Sequence, residues 1–290
     1  MTEELNINGH ALYSTKGAAR EYGRIGCNFY TGCPHGCEYC YLKRGAPSKH
    51  LGGNEVRLKK CFKDEQDAAD VLVRELDKWL EPCQKYGIFL SFTTDPMIKQ
   101  TRNLTLKAIL EANIRNIPVY ILTKDATFVH DECCFMAWME NINLPYRDLV
   151  HFGFTLTGRD DLEPNASQNH DRITAMRTMK LMGFPTFASI EPVIDWKHTR
   201  MVVSCSLLWC DHYKIGLRSG VKKDYYDLVE SAFNISDMVS EIVDDGCTVY
   251  LKNSTRKLLQ RAYKPFYLNE LLSKTVDMDG QPFIKQNNKS

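Results

Sequence analysis

Three cysteines stand within eight residues of this chain, in the segment Cys33-Pro34-His35-Gly36-Cys37-Glu38-Tyr39-Cys40. One loop with this spacing can bind three irons of a [4Fe–4S] cluster, which leaves the fourth iron open to a ligand from outside the protein. Two alternatives stay open at this point. The thiols could be buried and structural, or they could form a tetrahedral zinc site in which His35 supplies the fourth ligand from the same short loop.

The other eight cysteines of the chain are expected to be structural. The total of eleven is odd, and the first residues lack the apolar core of an export signal, so a disulfide framework is not predicted. A free thiol packs as a small apolar side chain. The cysteines concerned are Cys27, Cys61, Cys83, Cys133, Cys134, Cys205, Cys210 and Cys247.

Short β-branched or aromatic runs alternate with longer amphipathic stretches from residue 25 onward. Strands are predicted at 25–30, 87–93, 117–123, 149–156, 185–191 and 211–217. Helices are predicted at 63–81, 101–114, 128–141, 169–182, 196–207 and 225–243, with Asp64 as a start signal and Gly183 and Gly246 as stop signals.

Repeated β-α units of this kind predict an α/β fold with a parallel sheet, closed in part into a (β/α)6 TIM-like barrel, with the cysteine loop after its first strand. The predicted division has three parts. Residues 1–24 form an N-terminal extension, residues 25–220 form the core barrel, and residues 221–290 form a helical, basic segment that closes it.

Polar residues and glycine follow the predicted strands at their C-terminal ends, where barrel proteins form their sites. An aspartate suits an ammonium group, a lysine suits a carboxylate or phosphate, and a glycine lets the backbone approach a flat ligand. The same residues are also ordinary strand ends and turns. The candidates are Thr93, Thr94, Asp95, Lys124, Thr155, Thr157, Glu191, Ile215, Gly216 and Leu217, with Glu163, Asn165 and Asp195 as further residues at the same edge.

The chain resembles the radical S-adenosylmethionine (SAM) superfamily, and within it the branch of spore photoproduct lyase and its photolyase-like relatives. The resemblance covers about residues 25–220 and is most specific in the three cysteines. It continues in order through the segments Asn28-x-Tyr30-x-Gly32-Cys33, Tyr39-Cys40-Tyr41, Thr94-Asp95-Pro96, Ile121-Leu122-Thr123-Lys124 and Glu163-Pro164.

The resemblance implies a [4Fe–4S] cluster on the three cysteines and SAM on the open iron, cleaved reductively to a 5′-deoxyadenosyl radical. It places Tyr39 beside the adenine, and Thr93, Thr94 and Asp95 at the methionine amino group. Thr155 and Thr157 would face the ribose or the carboxylate. Residues 215–217 would offer backbone groups to the adenine. Lys124 would be a cation at the mouth of the barrel, Glu191 would orient SAM or substrate, and a flavodoxin or ferredoxin would supply the electron.

One position departs from the lyase pattern. The lyase has a hydrogen-donor cysteine just before this strand end, and Phe92 occupies the matching position here. The lyase's paired tyrosines around the last cluster cysteine are kept as Tyr39 and Tyr41, and Tyr41 is therefore a catalytic candidate. The resemblance thus implies the radical-generating machinery without implying photoproduct repair.

Composition excludes several classes of protein. With 43% apolar and 25% charged residues the chain is globular, and no run approaches the roughly 18 apolar residues of a membrane helix. We therefore expect a cytoplasmic protein without a membrane partner. The net charge is +4 over residues 1–60, −8 over 61–251 and +5 over 252–290. Basic ends fit a phosphate-bearing partner, and they also fit an ordinary solvated surface.

The last segment interleaves aromatic and basic side chains, a pattern that suits contact with DNA or RNA or, alternatively, a helix that closes the barrel edge with its charges outside. The residues are Arg256, Lys257, Arg261, Tyr263, Lys264, Phe266, Tyr267 and Phe283. The sequence therefore predicts a radical SAM enzyme acting on a nucleic acid or nucleotide. The alternatives are a peptide, protein or small-molecule substrate, or an iron–sulfur scaffold without catalysis.

Overall fold

The computed structural model describes residues 5–44, 48, 51–130, 144–222, 224–281 and 283. They fall into two compact units. The first lies within Met1–Gly153 and Asp160–Pro185, and the second comprises Phe154–Arg159 with residues from Thr186 onward. Cys133, Cys134 and the part of the predicted helix 128–141 beyond residue 130 lie outside the described residues.

Ten strands and nine helices are formed by the described residues. The strands are β1 Leu12–Ser14, β2 Ile25–Cys27, β3 Tyr30–Thr31, β4 Arg57–Leu58, β5 Ile88–Leu90, β6 Val119–Thr123, β7 Val150–Thr155, β8 Thr186–Val193, β9 His212–Leu217 and β10 Thr248–Leu251. The helices are α1 Glu65–Lys78, α2 Leu80–Tyr86, α3 Arg102–Ile114, α4 Leu144–Arg147, α5 Asn169–Leu181, α6 Trp196–Ser206, α7 Leu228–Asp244, α8 Asn253–Ala262 and α9 Pro265–Ser273.

The first unit is built on a sheet with the strand order β1-β2-β5-β6-β7. Strand β1 is antiparallel to β2, whereas the pairs β2–β5 and β5–β6 are parallel. Strand β5 is buried along its whole length, which explains why its sequence is continuously apolar. A separate antiparallel pair, β3 with β4, follows β2 and leads into the cysteine loop.

The second unit carries the parallel strands β8, β9 and β10. Strand β9 is buried from Tyr213 to Leu217, and α7 buries one apolar face that includes Ile235, Val239 and Ile242. Because parallel strands present their C-terminal ends at one edge, β8 to β10 bring Glu191, residues 215–217 and Lys252 to the same edge of this unit.

The predicted fold class is confirmed, because the chain is α/β with mostly parallel strands. All six predicted strands occur, and the boundaries of the predicted helices 101–114, 169–182, 196–207 and 225–243 agree to within a few residues, whereas the stretch 63–81 is divided at Trp79. The second of the two resulting helices has Pro82 in its first turn, where a missing N–H costs nothing. At the start of the predicted helix 128–141, the described residues Thr127–His130 form a 3-10 helix. The three-part division of the chain and the closing role of its C-terminal segment stay predictions.

The capping signals also hold. The Asp64 carboxylate accepts a hydrogen bond from the Asp67 N–H at 2.8 Å, which fixes the start of α1. Gly183 and Gly246 follow α5 and α7 with φ angles of 84° and 85°. Within the part of the chain that the structure describes, every helix is too short or too polar to cross a bilayer.

Candidate functional site

The cysteine loop begins directly after β3. Gly32 enters it with a φ of 80°, and a Cβ built there would lie 2.0 Å from the carbonyl oxygen of Glu55, so only glycine fits. The Cys33 N–H donates to the carbonyl of Gly53 at 3.0 Å. All three thiols are free, with Cys37 buried and Cys33 and Cys40 half-buried. The loop therefore holds three unbonded thiols in a backbone that is fixed at its entrance.

The residues that follow β7 in the first unit hold the other side of the loop. The Glu38 N–H donates to the carbonyl of Leu162 at 3.0 Å, and the Asn165 N–H donates to the carbonyl of His35 at 3.1 Å. The side-chain amide of Asn165 donates to the carbonyl of Pro34 at 3.0 Å. These bonds span the loop from its second residue to its sixth, so its conformation does not depend on the thiols alone.

Three neighbouring residues at the end of β5 have different surroundings. The Thr93 hydroxyl donates to the carbonyl of Tyr30, and the Asp95 carboxylate accepts four hydrogen bonds. The Thr94 hydroxyl is buried, yet it has no hydrogen-bond partner among the described residues. An unpaired buried hydroxyl costs stability unless a ligand bonds it, so Thr94 is the group here that is open to a ligand.

Asp95 and His35 form a buried pair. His35 Nε2 lies 2.8 Å from Asp95 Oδ2, and His35 Nδ1 lies 3.1 Å from the carbonyl oxygen of Asn165. Burial by itself raises the pKa of Asp95, but the charge of His35 and the hydrogen bonds outweigh it and lower the pKa to about 2. Burial lowers the pKa of His35, and the Asp95 carboxylate outweighs it and raises the pKa above its usual value.

Tyr39 lies between the second and third cysteines and belongs to a second buried network. Its hydroxyl donates to Glu163 Oε1, and Glu163 Oε2 accepts a hydrogen bond from Arg172 Nη2 at 2.6 Å. The side chains of Glu163 and Arg172 are both 0% exposed, so the ion pair lies fully within the protein. The Arg172 Nε also donates to the carbonyl of Ser167 at 2.7 Å. The ring of Tyr39 is therefore fixed through its hydroxyl.

Lys124, which follows β6, brings a positive charge to the cysteine loop. Its Nζ lies 5.4 Å from the centre of the Tyr39 ring, and the described residues offer its ammonium group no ion-pair partner. Burial lowers the pKa of Lys124, but the charges of Cys37 and Glu163 outweigh it and raise the pKa.

Burial raises the pKa of Cys33 to about 12 and also raises the pKa of Cys37. The charge of Lys124 acts in the opposite direction on both thiols. Because iron binds the thiolate, the charge of Lys124 favours metal binding by the loop.

The tyrosine after the last cysteine and the residue at the lyase's donor position contact each other. The Tyr41 hydroxyl donates to the backbone carbonyl of Phe92, and the Tyr41 side chain is exposed. The Phe92 ring stacks on Phe89 with centroids 4.7 Å apart, and Tyr22 meets it edge-on at 6.4 Å. Position 92 is therefore part of an aromatic cluster, and the Phe92 side chain itself carries no thiol or hydroxyl hydrogen.

The predicted site residues of the second unit lie at or near its strand ends. Thr155 and Thr157 are buried, and the Thr157 hydroxyl accepts a hydrogen bond from the Arg159 N–H at 3.2 Å. The backbone carbonyl of Ile215 accepts bonds from the Lys252 N–H and the Thr255 hydroxyl, and the Leu217 N–H donates to Ser254 Oγ at 3.1 Å. These strand ends are thus tied to the start of α8.

Glu191 and Lys252 form an ion pair over Gly216. The Lys252 side chain is only 2% exposed, and a Cβ on Gly216 would lie 2.9 Å from the side chains of both partners. The sequence predicts that a flat ligand approaches the backbone at Gly216, and the Glu191–Lys252 pair occupies part of the space beside this glycine. Asp195 caps α6, because its carboxylate accepts from the His198 N–H at 2.9 Å.

The sequence did not indicate the roles of three side chains: Arg172, Lys252 and Thr123, whose hydroxyl donates to Asp95 Oδ1 at 2.7 Å. Lys252 directly follows the apolar run of β10, so a seventh parallel strand in the prediction would have indicated it. Nothing in the local sequence of α5 distinguishes Arg172 from an exposed helix residue. Thr123 was noted only as part of a motif.

The donor set fits a [4Fe–4S] cluster better than a single zinc ion. In such a cluster each of three thiolates binds a different iron, and no fourth protein ligand is needed. Zinc would need that fourth ligand, and both ring nitrogens of His35 are already engaged with Asn165 and Asp95. In the described part of the chain, no three His, Cys, Asp or Glu side chains converge on a site for one metal ion.

Two solved structures are similar to this chain in fold. Spore photoproduct lyase, in complex with a dinucleoside spore photoproduct, matches with a TM-score of 0.59 at 14% identity, over 82% of this chain and 80% of the lyase. SuiB from Streptococcus suis, bound to S-adenosylmethionine, matches with a TM-score of 0.50 at 11% identity, over 77% of this chain and 48% of SuiB. This chain therefore spans about half the length of SuiB.

Both neighbours share the fold of this chain, so the fold that the sequence resemblance implies is confirmed. No protein-family model matches the chain, and comparison with curated proteins gives no match. The individual site residues stay predictions.

Proposed function

We propose that this chain is a radical SAM enzyme. When bound at the cysteine loop, a reduced [4Fe–4S] cluster supplies the electron that cleaves SAM to a 5′-deoxyadenosyl radical, which abstracts hydrogen from a substrate. The observation that carries the proposal is the loop of three free thiols beside the cation of Lys124, next to the unpartnered buried hydroxyl of Thr94, in a fold shared with SAM-binding SuiB.

The residues of the first unit have separate tasks. Cys33, Cys37 and Cys40 would bind three irons of the cluster. The Thr94 hydroxyl would accept a hydrogen bond from the amino group of SAM, and the Lys124 ammonium would attract its carboxylate. Tyr39 would offer its ring face to the adenine, since its hydroxyl is held by Glu163.

In the second unit we propose that Thr155 and Thr157 face the ribose or carboxylate of SAM and that residues 215–217 face its adenine. Glu191 is proposed to orient SAM or the substrate. Tyr41 is proposed as a catalytic residue near the radical. The electron would come from a flavodoxin or ferredoxin. A reducing compartment such as the cytoplasm suits the nine free thiols among the described residues.

The test is anaerobic. The purified chain is reconstituted with iron and sulfide, reduced with dithionite and given SAM, and 5′-deoxyadenosine is measured. We expect product from the wild type and from Cys61→Ala, an exposed cysteine outside the loop, and none from Cys33→Ala. A spectroscopically intact cluster that neither binds SAM nor gives product would support the iron–sulfur scaffold and contradict the proposal.

For the substrate we propose a nucleic acid. The described C-terminal residues divide into two groups. Arg256 lies over the rings of Tyr250 and Phe283, and the Tyr263 hydroxyl bonds to Ser236 on α7, so these residues serve the fold. The remaining five of the interleaved set face outward: Lys257, Arg261, Lys264, Phe266 and Tyr267.

The outward group has the features of a single-strand contact. Lys257 and Arg261 lie one helical turn apart on α8, Lys264 lies in the link to α9, and the described residues offer the three no acidic partner. Phe266 is 74% exposed and Tyr267 59%, and their rings meet edge to face with centroids 5.6 Å apart. Bases stack on exposed aromatic rings while cations follow the phosphates. The lyase neighbour was solved with a dinucleoside photoproduct.

Salt dependence tests the substrate class. Affinity for a single-stranded oligonucleotide is measured against salt concentration for the wild type and for Lys257→Ala with Arg261→Ala. Loss of two phosphate contacts should lower the slope of log K against log salt by about 1.4. Lys197→Ala, an exposed lysine on α6, serves as the matched control and should leave the slope unchanged. An unchanged slope in the double variant would favour a peptide or small-molecule substrate.

The proposal stops at hydrogen abstraction. Phe92 stands where the lyase has its donor cysteine and lies within an aromatic cluster. Photoproduct repair is therefore not part of the proposed function.

A further inference from the structure

The Asp95 carboxylate has its acceptor sites filled from within the protein. Oδ1 accepts hydrogen bonds from the Met97 N–H at 2.9 Å and the Thr123 hydroxyl at 2.7 Å. Oδ2 accepts one from the Lys124 N–H at 2.7 Å and lies 2.8 Å from His35 Nε2. A carboxylate offers about four lone-pair positions, so none is left for a ligand. The residue is also only 6% exposed.

Among the described residues, His35 is the one through which this carboxylate contacts the cysteine loop. One ring nitrogen faces Asp95 and the other faces the backbone carbonyl of Asn165, whose N–H in turn donates to the His35 carbonyl. The histidine thus joins the loop both to the end of β5 and to the segment before α5. It stands midway between Cys33 and Cys37 in the sequence.

We propose that His35 and Asp95 are positioning residues that clamp the cysteine loop to the ends of β5 and β6, and that Asp95 does not contact SAM. The clamp itself is a property of the metal-free chain. Its consequence for the cluster rests on the proposed function. This assignment differs from the one that the superfamily resemblance implies, in which the aspartate receives an ammonium group.

The neighbouring threonine provides the contrast. Thr94 and Asp95 are adjacent and both buried, but the Thr94 hydroxyl lacks a partner among the described residues whereas the carboxylate has four. If an ammonium group were to bond to Asp95, one of the four donors would lose its acceptor while still buried, which is costly. Bonding at Thr94 incurs no such loss.

The clamp is tested by hydrogen exchange on the full metal-free chain. Three variants are compared with wild type: Asp95→Asn, His35→Phe and Thr94→Val. The readout is exchange of the protected amides of Cys33, Glu38 and Asn165, with α7 as the reference segment. We expect about tenfold faster exchange at the loop amides in the first two variants and wild-type exchange in Thr94→Val. Wild-type exchange in Asp95→Asn and His35→Phe would overturn the clamp.

Further measurements separate a local clamp from general destabilisation. His35→Gln keeps a side-chain donor for Asp95, so it should regain part of the loop protection that His35→Phe loses. Equal acceleration in the loop and in α7 would overturn the proposal, because it would show a global effect. If His35→Phe or Asp95→Asn fails to fold, His35→Gln against Thr94→Val decides, and identical loop exchange in the two overturns the clamp.

The reconstituted protein gives a second, independent readout. Thr94→Val should weaken SAM binding about tenfold and leave the electron paramagnetic resonance spectrum of the reduced, SAM-free cluster as in wild type. His35→Phe should change that spectrum, because the thiolates of Cys33 and Cys37 are displaced, and His35→Gln should restore it in part. A wild-type chain that assembles a cluster but does not bind SAM would refute the proposed function and leave the exchange result standing.

Discussion

At the scale of single residues, the most demanding feature is the buried ion pair of Glu163 and Arg172. Both side chains are fully buried, and each has a further hydrogen bond, from Tyr39 to Glu163 and from Arg172 to Ser167. A buried pair of this kind adds little net stability relative to apolar residues, but removing one partner leaves an uncompensated charge. The pair therefore fixes the Tyr39 side chain, and loss of either charged partner should destabilise the folded state strongly.

Replacing Arg172 alone should show how much stability the folded state loses when the Glu163 carboxylate has no charged partner. We expect Arg172→Met to lower the free energy of unfolding by about 3–5 kcal/mol, because the Glu163 carboxylate stays buried without its partner. Urea denaturation of the metal-free chain measures the change. Arg177→Met, at an exposed position of the same helix, should stay within about 0.5 kcal/mol of wild type.

The double variant supplies the decisive comparison. Combining Glu163→Gln with Arg172→Met removes both charges, so it should unfold less readily than Arg172→Met alone. If Arg172→Met and Arg177→Met lose the same stability, the pair is not the buried ion pair described here.

How much of the site the sequence could reveal depends on the kind of signal each residue carries. Cys33, Cys37 and Cys40 are close in sequence and chemically unusual, so their motif alone is sufficient to predict the candidate cluster loop. Arg172 lies on α5 and contacts Glu163, which in turn bonds to Tyr39. Glu163 and Tyr39 are far apart in the sequence. Such pairs are set by tertiary packing, and no local pattern contains them.

At the scale of elements, the N-terminal cap of α6 is a titratable carboxylate, Asp195, that also contacts two basic side chains. The Asp195 carboxylate accepts from the His198 N–H and from its Nδ1 at 2.7 Å, and Arg159 Nη1 lies 3.3 Å away. Burial raises the pKa of Asp195, but these donors outweigh it and lower the pKa below its usual value of 3.8. The ionised cap therefore stabilises the folded state.

The sign of the pH dependence follows. Because the folded pKa lies below the unfolded one, the contribution of Asp195 is present above about pH 4 and is lost as the pH falls through the folded pKa. We expect Asp195→Asn, which keeps a side-chain acceptor at the cap, to be less stable than wild type at pH 6. The difference should shrink towards zero at pH 2.

Chemical denaturation across this pH range measures the effect. The network is about one-third exposed, so it should weaken further in high salt. A difference between wild type and Asp195→Asn that is constant from pH 6 to pH 2 would contradict the ionic role and leave only the cap.

The predicted elements show which parts of the fold are encoded locally. Strands β2, β5, β6, β7, β8 and β9 carry β-branched or aromatic runs between helical patterns, and these were predicted. Strand β1, which is antiparallel to β2, has three residues, and β3 and β4 have two residues each. Strands this short do not produce a recognisable alternation of apolar and polar residues. Strand β10 was missed because its apolar run is only four residues long and follows a long amphipathic helix.

At the scale of the whole molecule, the near-zero net charge conceals a sorted distribution. The chain is +4 over its first 60 residues and +5 over its last 39, around a centre of −8. In the first unit, the charge of Lys124 opposes the burial that raises the pKa values of the Cys33 and Cys37 thiols, and the charge of Arg172 does so at Cys37. In the second, α8 carries outward cations, and the exposed rings of Phe266 and Tyr267 follow it in the chain. Positive charge is thus present where the proposed cluster and the proposed nucleic acid would bring negative charge.

Cluster loading should stabilise the whole chain if the three thiols bind it as proposed. A ligand that binds only the folded state raises the unfolding temperature by mass action, and a cluster joins three residues of a loop that is already anchored on both sides. We expect the reconstituted wild type to melt about 5 °C or more above the iron-free chain under anaerobic conditions.

Cysteine variants show whether the stabilisation arises at the loop. The triple variant Cys33→Ala, Cys37→Ala, Cys40→Ala should melt at the same temperature with and without reconstitution, and treatment of the loaded wild type with an iron chelator should return it to the iron-free value. Cys61→Ala and Cys205→Ala, at exposed cysteines elsewhere, should keep the full wild-type shift. A shift that survives in the triple variant would place the iron elsewhere, because the loop would then not be its ligand.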